Sequence, residues 1–344
     1  MREPRSGLTV GVIGCGLIGH KRAAALAEQD RLLGATDPVG ERATELVETY
    51  GGRACAAAAE LLSLEPDVVV VAATHDQLAP LTEQCLQAGA HVLVEKPAGL
   101  GTVQIKRLRD AAVRFDRHVM VGFNHRFHPA IAELAAAVHS GEHGELMHVR
   151  GRYGHGGRPG YDREWRTQPE RSGGGELIDQ GMHLLDIVHW LAGPLPLHSA
   201  LLRTHFWDTE VEDNAALILG DSAEREARWA MLHVTWTEWK NMFSLEVYCR
   251  TAKLQVDGLV RSYGPQTLRI YRMSPELGPP EIEERAYGDG DLSWAAQWEH
   301  FAATIQRGTP LLGTLADAHY AWSTVEQAYE RAPAYAGMRR GLGA

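Results

Sequence analysis

The stretch Thr9-Val10-Gly11-Val12-Ile13-Gly14-Cys15-Gly16-Leu17-Ile18-Gly19 runs a short β-branched segment directly into a Gly-x-Gly-x-x-Gly signature. At the junction of a strand and a helix, the first glycine permits a tight turn. The second lets a pyrophosphate approach the backbone, and the third lets helix and strand pack closely, with the helix N-terminus facing the anion. Eighteen residues after Gly19, the next β-rich segment ends at Asp37. A carboxylate there can accept hydrogen bonds from adenosine ribose hydroxyls and repels a 2′-phosphate. The expected cofactor is therefore NAD(H); Arg42, five residues on, leaves NADP(H) open.

Working outward, residues 8–124 alternate short apolar runs with longer helix-like segments, the pattern of a parallel sheet covered on both faces. Strands are expected at 9–13, 32–36, 53–56, 67–74, 91–95 and 118–122. Helices are expected at about 18–29, 40–50, 77–88 and 102–115, each long enough for a crossover. After Asn124 the rhythm changes. A helix at 128–140 and a strand near 145–153 precede a glycine- and arginine-rich loop from Gly154 to Gly175. A helix at 176–192 follows, then alternating stretches at 227–236 and 242–248 that suggest antiparallel strands, then helices at 294–307 and 315–331. The division expected is 1–124 for a dinucleotide-binding domain and 125–344 for a substrate-binding and oligomerisation domain.

Composition narrows the functional classes. The chain has 344 residues, 44% hydrophobic and 23% charged, and a formal net charge of −10, which opposes binding to nucleic acid. The longest apolar run, Val68–Ala73, is far shorter than the roughly 20 residues that cross a bilayer. The start, Met1 to Ser6, has neither the apolar core nor the cleavage site of an export signal, and the four cysteines form no CxxC pair. A cytoplasmic protein with a small-molecule partner is expected.

Three side chains stand out for chemistry. Lys96, in Val94-Glu95-Lys96-Pro97, ends a strand where ligands of open α/β sheets collect, and it is one of only five lysines against 29 arginines. In Gly173-Gly174-Gly175-Glu176-Leu177-Ile178-Asp179-Gln180-Gly181-Met182-His183, Asp179 and His183 are four apart, a spacing that puts them on one face of an α-helix. Histidine suits reversible proton transfer, and a carboxylate can orient it or the substrate. Surface pairing of Lys96 with Glu95, or a histidine merely facing a neighbour, are the bland alternatives. Arg158, Arg163, Arg166 and Arg171 can grip a phosphate or carboxylate, but Asp162, Glu164 and Glu170 lie among them and favour an internally paired loop. Tyr153, His155, Trp236 and Trp239 are candidates for stacking on a sugar or base. His139 and His143 share a helical spacing without further ligands, so no metal site is expected.

Taken together these motifs, with Asn124-His125-Arg126-Phe127, resemble the Gfo/Idh/MocA family, which includes glucose–fructose oxidoreductase and inositol dehydrogenases, over nearly the whole chain. The resemblance implies an α/β architecture: an N-terminal Rossmann doubly wound parallel sheet and a C-terminal α+β domain with a large, mostly antiparallel sheet. It implies cofactor contacts at Gly14, Gly16, Leu17, Ile18, Gly19, Asp37, Thr74, Glu95, Lys96 and Asn124, and a catalytic group of Lys96, Asp179 and His183. Substrate contacts are expected at Tyr153, His155, Arg158, Arg166 and Trp236, a cis peptide before Pro97, and a homodimer or homotetramer formed through the C-terminal sheet. Many relatives have arginine where His125 stands, and an asparagine-and-histidine turn where this chain reads Thr74-His75-Asp76-Gln77. The implied activity is hydride transfer between NAD(H) and a secondary hydroxyl or ketone carbon of a sugar, polyol or sugar derivative. A nucleotide-linked sugar dehydrogenase or ketosugar reductase, a non-catalytic NAD-binding sensor, and an NAD-using lyase or glycosidase are the alternatives.

Overall fold

The computed structural model describes residues 7–338; Met1 to Ser6 and the last six residues lie outside the description, and with them the reading of the N-terminus. By contact the chain divides into two units. The first joins the segment ending at Asn124 to Trp294–His319, and the second holds His125–Ser293 with the chain from Tyr320 onward.

The first unit contains β1 (Thr9–Ile13), α1 (Leu17–Ala24), β2 (Arg31–Thr36), α2 (Gly40–Tyr50), β3 (Arg53–Ala54), α3 (Ala58–Leu62), β4 (Val68–Val71), α4 (His75–Gln87), β5 (His91–Val94), α5 (Thr102–Arg114) and β6 (Val119–Val121). All six strands are parallel, in the order β3-β2-β1-β4-β5-β6. The chain reverses direction across the sheet between β1 and β4, the place where open α/β sheets bind ligands. Val10, Val12 and all of Val68–Val71 are fully buried. That is the signature of strands covered on both faces, each such side chain contributing about 1.5–3 kcal/mol.

Helix Ser293–Arg307 falls in the second half of the chain, yet Trp294 onward belongs to the first unit. Polar anchors explain this. Gln297 Oε1 accepts from Arg22 at 2.8 Å, its Nε2 donates to Val121 O at 3.1 Å, and Trp298 Nε1 donates to Asp30 at 2.7 Å. Gln297 is fully buried, so each of these bonds satisfies a group that would otherwise be stranded.

The second unit continues with α6 (Pro129–Ser140), β7 (Leu146–Gly154), the short α7 (Pro169–Ser172), a π-helical turn (Leu177–Gly181) and α8 (Met182–Ala192). Seven further strands follow: β8 (Leu197–Arg203), β9 (Asn214–Gly220), β10 (Trp229–Thr235), β11 (Met242–Cys249), β12 (Ala252–Asp257), β13 (Thr267–Arg272) and β14 (Glu281–Ala286). They form an eight-stranded sheet, β14-β13-β12-β11-β7-β10-β9-β8, antiparallel except for the β7–β10 pair. Helices α6 and α8 pack against this sheet and against each other. The buried residues of β9 and β12 alternate, as in a sheet covered on one side. Among the described residues no helix is long and apolar enough to cross a membrane.

Candidate active site

In the first unit the glycine loop has the geometry its sequence requires. Gly14 has φ +92°, and a Cβ there would lie 2.4 Å from Ala72 O; a Cβ on Gly19 would lie 2.1 Å from Gly14 O. Gly16, by contrast, faces open space, with nothing within 4 Å of where a Cβ would stand. It is the N-cap of α1, and Leu17 beside it is 74% exposed. The backbone is thus open to close approach at a helix start, which fits a pyrophosphate.

Asp37 ties this loop to the end of β2: its Oδ2 accepts from Cys15 N at 2.8 Å and its Oδ1 from Val39 N at 2.9 Å. Each carboxylate oxygen retains acceptor capacity for a ribose hydroxyl. Arg42 stands 3.9 Å from Oδ1 and is half exposed. Burial, reinforced by Asp37, pushes the Cys15 thiol up to about 12, so this loop carries an inert thiol.

Beyond β5, Lys96 and Pro97 are joined by a cis peptide bond. Glu95, read as a cofactor contact, is engaged by Arg22, whose Nε and Nη2 stand 2.7 and 2.6 Å from Oε1. A carboxylate held in a buried, charge-assisted pair fixes α1 to the end of β5. Thr74 caps α4 at the end of β4 and donates to Asp76 at 2.6 Å, and Asn124 is buried just after β6.

In the second unit the sequence predicts one α-helix over 176–192, and the structure opens that segment with a π-helical turn. Asp179 lies in the π-helical turn and His183 in the first turn of α8. The widened turn, with its i→i+5 bonding, shifts Asp179 out of α-helical register; such insertions gather at functional sites. The turn is held from outside. The fully buried Glu212 accepts from Leu177 N at 3.0 Å and Gly175 N at 3.2 Å, and Tyr329 Oη donates to it at 2.9 Å. Its backbone carbonyl accepts from Glu176 N at 3.0 Å.

The glycine run exists because of this clamp. A Cβ on Gly174 would lie 2.0 Å from Tyr329 Oη, and one on Gly175 would lie 2.0 Å from Glu212 O. Burial pushes the Glu212 carboxyl up to about 7 despite its donors.

Around Asp179 gather Tyr161 Oη, at 3.3 Å, and Arg166 Nε, at 3.8 Å. Among the described residues, His155, Glu176 and Asp179 bring nitrogen and oxygen atoms within 4.8 Å of one another. His155 Nδ1 accepts from Gly157 N at 2.9 Å, so the neutral ring carries its proton on Nε2. Burial holds His155 below the usual histidine range, which keeps it neutral. With its proton on Nε2, His155 can donate to a carboxylate or to a ligand hydroxyl. His139 and His143 meet different partners: Trp190 O for the first and Glu142 for the second.

His183 is buried and stacks on His125, ring centroids 3.8 Å apart, with Tyr153 edge-on at 6.4 Å. Burial and the neighbouring Tyr263 and Asp179 push Tyr153 well above the usual phenol range. One turn on, Asp186 receives a bidentate pair from Arg126 at 2.6 and 2.8 Å, both fully desolvated, which pins α8.

One substrate candidate read from the sequence, Trp236, is placed differently. Trp236 is fully buried and packs edge-on against Tyr161 at 5.1 Å, so it is core and offers no open face for stacking. Arg158 pairs with Glu164 at 2.6 Å within the loop, and Arg166 is shared between Glu164 and Asp179, which keeps it beside the candidate carboxylate. Sequence reasoning missed Glu212 and Tyr329, which are far apart in the chain; Val211-Glu212-Asp213-Asn214 before β9 is the local signal.

Comparison with known proteins follows the same division. The family model described as "Oxidoreductase family, NAD-binding Rossmann fold" matches residues 8–123, and that described as "GFO/IDH/MocA C-terminal domain" matches residues 131–255. An inositol 2-dehydrogenase of Saccharopolyspora erythraea is 30% identical over 59% of this chain and 61% of its own length. A D-glucoside 3-dehydrogenase of Escherichia coli is 32% identical over 55% of each chain. The chain thus spans little more than half the length of these curated relatives.

Among solved structures, a levoglucosan dehydrogenase in complex with NADH and levoglucosan superposes with a TM-score of 0.86 at 19% identity, covering 97% of this chain and 98% of that one. A UDP-N-acetylglucosamine 3-dehydrogenase from Acidithiobacillus ferrooxidans gives 0.78 at 21%, covering 96% and 99%. At these identities the likeness is one of fold. The two matched domains take up well over half of the sequence, and the chain belongs to the Gfo/Idh/MocA family of NAD-binding oxidoreductases.

Proposed function

We propose that this protein is an NAD(H)-dependent dehydrogenase that acts on a secondary hydroxyl of a neutral sugar, polyol or glycoside. The observation that supports this best is the polar group around Asp179: a carboxylate with a phenol, a neutral imidazole and a guanidinium in reach, and His183 in the following turn. Such a group suits a polyhydroxylated ligand, because each hydroxyl needs both donors and acceptors. The relatives named for inositol and glucoside oxidation support the same class.

NAD, when bound, supplies the hydride acceptor. His183 takes the hydroxyl proton, Lys96 stabilises the developing alkoxide and relays the proton, and Asp179 holds a neighbouring hydroxyl or fixes the imidazole. Pairing of Arg158 with Glu164 argues against a nucleotide-linked sugar. A sensor would need the glycine loop but not Lys96, Asp179 and His183, and a lyase or glycosidase would turn over without net NADH.

We also assign the protein to the cytoplasm, in keeping with four buried, free cysteines, and to a homodimer or homotetramer. The outward face of the second sheet, with Trp229, Met231, Met147 and Leu201 each more than a third exposed, supports association there.

The test is a screen of polyols, sugars and glycosides for NADH formation, followed by Lys96→Met and His183→Ala. Each variant should lose about 10²–10⁴ in hydride-transfer rate with NAD(H) affinity retained, and the double variant should be little worse than the poorer single one. Wild-type rates in a folded single variant would remove that residue from the mechanism.

A further inference from the structure

The β7, β8 and β10 strands run the same way, so the loops that follow them leave the same end of the second sheet's strands. Glu212, which clamps the turn bearing Asp179, precedes β9 at that same end. The loop after β8 presents Phe206 and Trp207, and the loop after β10 presents Trp239. Phe206 is 59% exposed and Trp239 67% exposed, and their rings meet edge-to-face at 4.8 Å.

This pair is built rigidly. Asp213 accepts from three successive backbone amides, those of His205, Phe206 and Trp207, at 2.8–3.1 Å, which fixes the loop after β8. Trp207 Nε1 donates to Trp236 O at 3.0 Å. On the loop after β7, a Cβ on Gly157 would lie 2.4 Å from Trp207, and one on Gly156 would lie 3.2 Å from Trp239. The two glycines let the aromatic rings close onto the backbone.

From the exposed pair an unbroken series of rings leads inward. Phe206 meets Trp207 at 5.2 Å, Trp207 meets Tyr161 at 5.6 Å, and Tyr161 Oη donates to Asp179. Two large aromatic faces exposed side by side at the outer end of such a series form a patch suited to an interaction, and rigid aromatic walls are how small-molecule sites hold apolar ring faces. The cation packed on Tyr161 in that series, Arg158, is already paired with Glu164, so the series itself offers neutral ring faces.

Resting on the dehydrogenase reading above, we propose that Phe206 and Trp239 form a subsite for the aglycone ring of a neutral glycoside whose sugar reaches Asp179. Methyl and phenyl β-D-glucopyranoside are the probes, titrated calorimetrically into the NAD-loaded protein. The wild type should bind the phenyl glycoside at least about tenfold more tightly, and Phe206→Ala and Trp239→Ala should each remove most of that preference, with Trp239→Tyr retaining it. Both side chains are mostly exposed, so melting curves should show folded variants.

Equal affinity for the two probes in the wild type, or binding of neither, overturns the proposal. So does a variant that keeps the preference but sediments as a smaller species, since the pair would then be an interface between copies of the chain. Ring-dependent binding without NADH formation from any sugar or polyol keeps the subsite and refutes the dehydrogenase reading instead.

Discussion

Glu212 should make the stability of the second unit fall as pH rises through neutrality. Its carboxyl is fully buried and moves from an ordinary 4.5 to about 7 in the fold. Because the folded value lies above the unfolded one, the stabilisation tied to the protonated form is complete below about pH 4.5 and is lost as pH climbs through about 7. At about 1.4 kcal/mol per unit, the loss is about 3 kcal/mol.

Glu212→Gln keeps the shape and an acceptor but does not titrate. Urea denaturation of both proteins from pH 5 to 8, followed by tryptophan fluorescence, should therefore show the variant gaining about 2.5 kcal/mol relative to the wild type across that range. At the acid end the variant should be the less stable, because an amide cannot accept from Gly175, Leu177 and Tyr329 at once. Tyr329→Phe should push the wild-type transition to still higher pH, since its hydroxyl is one of the donors that hold the carboxyl down. Parallel pH profiles for the wild type and Glu212→Gln would refute the reasoning, showing a carboxyl whose ionisation does not change across the range.

Asp37→Ala should weaken NAD(H) binding and relax rejection of NADP(H), while also freeing the Cys15 amide; an unchanged preference in a titration would exclude it as the discriminator. Gly175→Ala should destabilise the second unit by a few kcal/mol, read as a lowered urea midpoint, because the added methyl meets Glu212 O at 2.0 Å. Cys15, with its thiol pushed up to about 12 by burial, should resist iodoacetamide in the native protein at pH 8 and react only after denaturation.

The first unit was largely legible because its strands are buried on both faces. Runs such as Val68–Val71 need no periodicity to be recognised, and observed strand limits fall within a few residues of those expected. The second sheet offers less. Its edge strand β14 reads Glu-Ile-Glu-Glu-Arg-Ala and is almost wholly exposed, so neither apolar alternation nor burial marks it in the sequence. The return of Trp294–His319 to the first unit was illegible for another reason: it depends on Arg22, Asp30 and Val121, which lie 176 to 275 residues away.

At the candidate site the residue types were readable and their geometry was not. The letters predict one α-helix over 176–192, and nothing in them announces the π-helical turn at its start. Gly173-Gly174-Gly175 reads locally as a flexible hinge. In the fold it is the opposite: Glu212 and Tyr329 press so closely on Gly174 and Gly175 that only hydrogen fits. Absence of a side chain gives freedom in an unfolded chain, but at a crowded backbone it gives contact. The clamp that makes that contact is what fixes the turn bearing Asp179.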